Sequence, residues 1–162
     1  FDGMDVKNGS GHAALGQNLR GFKSQLQSDS GGYDKNVGGL AHGDRFADLP
    51  FENGAVLLTR IISKPGPNRL CLDLGHKAVA ADKPQPRARL FGLEKAKPVN
   101  HSEEHLTIET EQADSFAVGD CCYAVPAHIC PTVALHDIAW VVRDGRAAQS
   151  WEISARRRSL GV

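Results

Sequence analysis

The chain has no apolar run near the roughly 20 residues of a membrane-spanning helix. It also lacks a charged-then-apolar opening segment of the secretory kind. Neither charge is in excess, because 19 Lys and Arg offset 19 Asp and Glu. No overall field therefore steers the protein to nucleic acid or to an anionic membrane. Its four cysteines, Cys71, Cys121, Cys122 and Cys130, lack the spacing of a small disulfide-stapled scaffold, which points to a reducing, cytoplasmic setting. If Cys121 and Cys122 lie on a strand, they face opposite sides. The phosphate-cradling patterns GxGxxG and GxxxxGKS/T are missing, as are internal repeats and a nucleophilic Ser/His/Asp arrangement. The first residue is Phe1 rather than Met, which suggests that the true start lies elsewhere. The basic run Arg156-Arg157-Arg158 reads as a solvated tail rather than a phosphate patch.

What is present divides into two unlike parts. Residues 1–45 are an irregular, linker-like segment rich in turn formers, including Asn8-Gly9-Ser10-Gly11, Gly31-Gly32 and Gly38-Gly39. Leu15, Leu19, Phe22 and Leu26 keep a helix-like spacing, so one short amphipathic helix is expected there. Gly16 and Gly21 weaken it by about 1 kcal/mol each relative to alanine.

Residues 46–162 read as a mainly β domain. Ala55 to Ser63 is a β-branched run closed by Lys64-Pro65-Gly66-Pro67. Further strands are expected over Arg69 to Leu74, Arg87 to Phe91, His105 to Glu109 and Cys121 to Pro126, with a turn at Val118-Gly119-Asp120. Asp144-Gly145 stands between the alternating runs Ile138 to Val142 and Ala148 to Ile153, which is a hairpin signature. Trp140 and Trp151 flank that hairpin and are expected to pack across it. Short strands with frequent turns, and no long helix after residue 50, predict an antiparallel β-barrel or sandwich.

The stretch that carries chemistry is Val125-Pro126-Ala127-His128-Ile129-Cys130-Pro131-Thr132. On an extended segment, His128 and Cys130 leave the same face and can converge on one ion. Pro126 and Pro131 restrict the backbone on either side and reduce the entropy lost in holding the pair. Two protein ligands leave positions open, as a catalytic ion requires and a structural zinc does not. The pair alone leaves a second reading open, a satisfied histidine beside a buried free cysteine.

Several blocks then agree together with one family. Leu49 to Glu52, Leu58 to Pro65, Cys71 to Ala80, Ser102 to Leu106, Val118 to Asp120 and His128 to Val133 resemble the C-terminal part of D-threonine aldolases, in order and in spacing. The resemblance covers about two-thirds of the chain and fades upstream of about Gly43. These aldolases group with D-serine dehydratases in an alanine-racemase-like architecture, a pyridoxal-phosphate barrel followed by a β domain. The resemblance implies that His128 and Cys130 bind a divalent ion, zinc or manganese. It implies a D-amino-acid substrate and a cofactor lysine in a barrel, or in a second subunit, outside this chain. It favours aldolase over dehydratase chemistry, with a non-catalytic metal-binding or assembly module as the alternative for the isolated chain. With no catalytic residue assigned here, the chain alone is expected to be inactive.

Other candidates have plainer readings. Lys77 could replace the cofactor lysine only if desolvated, and is expected to be solvated or ion-paired. His76 reads as a surface or hydrogen-bonded histidine. Ser102 to His105 reads as a cap or loop, with Glu104 and His105 facing opposite ways on a strand. His136 and Asp137 could orient a ligand histidine, although a solvent-facing role is the favoured reading.

Overall fold

The computed structural model describes residues 53–161. The expected helix within residues 13–26, the glycine clusters before it and after it, and the block 49–52 lie outside the described residues. Strands β1 (Leu57–Gly66), β2 (Arg69–Leu72), β3 (Ala88–Leu90), β4 (Lys97–His101), β5 (Leu106–Glu109) and β6 (Cys121–Pro126) form one sheet. Their spatial order is β3-β6-β1-β2-β5-β4. Every pairing is antiparallel, and the sheet curls into a half-barrel. The expected β-rich class holds. No helix among the described residues is long and apolar enough to cross a membrane.

Thr59 and Ile61 point inward from β1 while Leu58 and Arg60 point out, as period-2 alternation requires. Leu70, Cys71 and Leu72 are all buried, because β2 lies between β1 and β5 within the curl. Leu70 and Leu72, with Leu74, Val79, Leu90, Leu93, Leu106 and Ile108, belong to one apolar cluster. Each large side chain buried there contributes about 1.5–3 kcal/mol. Cys122 faces this core while Cys121 is only half-buried, so the adjacent cysteines do part to opposite faces. All four cysteines are free.

The strands depart most from the sequence expectation in three places. First, β1 runs through Lys64-Pro65 to Gly66 and turns at Pro67-Asn68, with Asn68 at φ 55°. Past Ile61, which still bonds Gly119 and Asp120 just before β6, β1 pairs with β2, so Pro65 needs no donor on its free edge. Second, β2 stops at Leu72 instead of continuing to Leu74. Third, β4 was not anticipated at all: Pro98 and Asn100 disguise it, and it survives because it is the sheet's outer strand.

The last two strands, β7 (Ile138–Arg143) and β8 (Arg146–Glu152), form a separate hairpin. Asp144 and Gly145 both have positive φ, 51° and 76°, which fits the mirror-image turn that Asp-Gly favours. The tryptophan pairing is corrected by the register. Ala139 faces Trp151 and Trp140 faces Ser150, so the two indoles sit on opposite faces of the ribbon. Both remain open to solvent, Trp140 at 65% and Trp151 at 53%. Nor is the basic run simply a solvated tail, since Arg156 and Arg157 both reach Asp137 Oδ1, at 2.6 and 2.7 Å.

Candidate metal-binding turn

His128 stands where β6 gives way to a single helical turn, α1 (Ile129–Val133). β6 is buried through Val125 and Pro126, and Ala127 N–H then bonds Arg87 O at 2.7 Å. His128 is extended, at φ −141° and ψ 103°, and caps the helix through its backbone alone. Cys130 therefore lies in the first turn of a helix. The same-face argument drawn from an extended strand does not apply to this pair. Pro131 also sits in that first turn, where the missing N–H costs nothing, so the proline starts a helix instead of prolonging a strand. His128 is half-buried and Cys130 exposed, which removes the reading of a buried free cysteine.

One side chain organises the turn. The Thr132 hydroxyl donates to His128 O at 2.7 Å and accepts from Ala80 N–H at 3.1 Å. His136 Nε2 donates to Ala78 O at 2.9 Å. These contacts tie residues 128–136 to the loop that follows β2, and that loop delivers Asp82. Asp82 Oδ2 lies 2.6 Å from His128 Nδ1. The hydrogen bond from His128 holds the Asp82 carboxyl below its ordinary pKa. With Nδ1 engaged, Nε2 is the ring nitrogen left for a ligand. An imidazole nitrogen and a thiol are borderline-soft donors of the kind a divalent ion takes. Among the described residues, no three His, Cys, Asp or Glu side chains converge as a ready metal site. Sequence reasoning missed Asp82. It precedes His128 by 46 residues on an irregular loop, and no local pattern marks it.

The remaining candidates cluster around the same loop. The Thr59 hydroxyl and Arg60 N–H both donate to Asp73 Oδ1, at 2.7 and 2.6 Å, and so fix the loop's start. Gly75 then passes so close to the Glu103 and Glu104 backbone that a Cβ would collide with it. His101 Nε2 donates to Leu74 O at 2.8 Å, which leaves Nδ1 to accept from Gln85 Nε2 at 2.9 Å. Burial lowers the His101 pKa, in keeping with a neutral ring. Arg87 Nη1 lies 2.8 Å from His76 Nε2, so His76 is half-buried and hydrogen-bonded, as expected. A cavity of about 220 Å³ opens beside Gln85, Arg87 and His101, between the edge strands β3 and β4.

Lys77 pairs with Glu104 at 2.6 Å and Glu103 at 3.3 Å. Those contacts, the Glu104 hydrogen bond foremost, raise its pKa. A lysine kept protonated in this way is a poor nucleophile toward a carbonyl, so Lys77 does not fit a pyridoxal-phosphate site. Ser102 and His105 close the β4–β5 turn through the Ser102 N–H bond to His105 O, at 2.8 Å. Glu104 serves Lys77, not His105. His136 and Asp137 divide their roles: the histidine holds Ala78, and the aspartate holds Arg156 and Arg157. Neither bonds the His128 side chain; Asp137 is exposed, as the favoured reading has it, whereas His136 is half-buried.

Residues 54–142 match the family described as "Putative serine dehydratase domain". The chain is 35% identical over 137 residues to a D-threonine aldolase from Arthrobacter sp., covering 84% of this chain and 35% of that protein. It is 31% identical over 139 residues to a 3-hydroxy-D-aspartate aldolase from Paracoccus denitrificans, with the same two coverages, 84% and 35%. A crystal structure of D-threonine aldolase from Filomicrobium marinum shares the fold, with a TM-score of 0.60 at 24% identity, over 66% of this chain and 29% of that one. The chain thus spans about a third of the length of these two aldolases. On the span and specificity of that match, this chain belongs to the putative serine dehydratase domain family.

Proposed function

We propose that residues 46–162 are the metal-binding C-terminal β domain of a pyridoxal-phosphate-dependent aldolase for D-3-hydroxy-amino acids, with residues 1–45 as a linker-like segment before it. The reaction proposed for the complete protein is cleavage of D-threonine to glycine and acetaldehyde. The observation that carries this reading is the His128 turn. Its Nδ1 is taken by Asp82, its Nε2 is left for a ligand, and an exposed thiol lies two residues on. His128 would hold a zinc or manganese ion through Nε2 and Cys130 through Sγ. When bound, such an ion supplies a Lewis acid for the substrate's β-hydroxyl.

This chain's own part is then to fix the ligands and form a wall of the pocket. Lys77 is engaged in an exposed ion pair with Glu104, which supports placing the cofactor lysine, as the family resemblance does, in a barrel or a second subunit. The aldolase reading is favoured over a dehydratase by two relatives that carry aldolase names.

The test uses two preparations. The isolated chain, mixed with pyridoxal phosphate, is expected to leave the cofactor spectrum unchanged, and with D-threonine added to release no more glycine than the cofactor does alone. Cofactor trapped by borohydride on a lysine of this chain would overturn the assignment. The complete protein is expected to release glycine and acetaldehyde from D-threonine without ammonia. Formation of 2-oxobutyrate with ammonia would make it a dehydratase instead.

A further inference from the structure

We infer that Asp82 is the positioning carboxylate of the His128–Cys130 site, holding His128 as its Nδ1–H tautomer and so leaving the Nε2 lone pair to bind a cation. The inference rests on the metal reading above and adds a residue to it. Three observations carry it.

The first is the contact itself, 2.6 Å between Asp82 Oδ2 and His128 Nδ1, across 46 residues of chain. A neutral imidazole that donates from Nδ1 must keep its lone pair on Nε2. In metal sites a carboxylate on the distal nitrogen fixes both the tautomer and the ring plane, and makes the ligand more basic.

The second is how the carboxylate is held. Asp82 follows Ala78 and Ala80, whose backbones are bonded to His136 and Thr132 of the ligand-bearing segment. The loop and the turn are therefore one unit, and Asp82 is brought to His128 by backbone already fixed. Its other charged neighbour, Lys83 Nζ, is at the outer limit of an ion pair, 3.9 Å away.

The third concerns magnitude. Exposed ion pairs add little stability, and Asp82 is exposed. Loss of a carboxylate behind a metal-bound histidine instead weakens metal binding by about 10–100-fold. The placement of Asp82 therefore matters far more for holding an ion than for holding the fold.

The experiment measures two properties of the full 162-residue chain in the wild type, Asp82→Ala, Asp82→Asn and His128→Ala. Nitrogen chemical shifts of His128, recorded without metal, report the tautomer. Calorimetric titration with Zn²⁺ alone reports affinity. The expected result is an Nδ1–H tautomer in the wild type that shifts toward Nε2–H in Asp82→Ala. Zn²⁺ binding should weaken by about 10–100-fold in Asp82→Ala, less in Asp82→Asn, and be lost in His128→Ala. Unchanged thermal melting would confirm that the variants fold. Equal Zn²⁺ affinity in the wild type and Asp82→Ala would overturn the inference, and so would an Nε2–H tautomer in the wild type. Binding that survives intact in His128→Ala would instead sink the metal reading, and the tautomer data would still decide what Asp82 does.

Discussion

Replacing Thr132 with valine removes one hydroxyl from a buried site and leaves its volume nearly unchanged. That hydroxyl makes two bonds, donating to His128 O and accepting from Ala80 N–H. Thr132 is 1% exposed, so water cannot take over either role. Each bond is worth about 0.5–1.5 kcal/mol net, and a buried donor left without a partner costs about 1–3 kcal/mol. The valine variant should therefore lose about 2–3 kcal/mol. Thr132→Ser keeps both bonds and loses one methyl, at about 1 kcal/mol. Urea denaturation followed by circular dichroism separates them, because a difference of that size moves the midpoint by about 1 M for a small domain. The valine variant should also bind Zn²⁺ more weakly than the serine variant, since the His128 turn is no longer tied to the Asp82 loop. If valine proves as stable as serine, the hydroxyl does not join the two segments, and the construction of the site given above is wrong.

Two further outcomes follow from the packing. Gly75→Ala should lower the melting temperature severely or prevent folding, because the new Cβ meets the Glu103–Glu104 backbone, which cannot yield as a side-chain tip could; a variant that melts like the wild type would contradict that close approach. In alkylation with iodoacetamide at neutral pH, Cys130 should react first. Cys122 should stay unlabelled until the domain is unfolded, since burial pushes its pKa up to about 11 and closes access. Mass mapping that finds Cys122 labelled before Cys130 would refute the burial pattern.

The sequence revealed strands where side chains alternate or where β-branched residues run together, as in β1, β3, β5 and β6. The Asp144-Gly145 turn was readable because both positions demand positive φ. β4 was hidden because an edge strand tolerates Pro98, which sequence reasoning treats as a breaker. The extended reading of His128 to Cys130 failed for a related reason. Pro131 suits the first turn of a helix as well as an extended segment, and the Thr132 bonds to His128 O and Ala80 N–H, which the sequence does not show, accompany the helical turn. His128 and Cys130 stood out through their spacing and through the blocks shared with a known family. Asp82 did not, because a loop residue brought in by tertiary hydrogen bonds leaves no periodic trace.

The central claim is that this domain holds a divalent ion through His128. Elemental analysis of the purified chain after dialysis against Zn²⁺, alongside His128→Ala treated identically, tests it most directly. About one equivalent of zinc in the wild type and only background in the variant is the predicted result. Equal zinc in both proteins would contradict it.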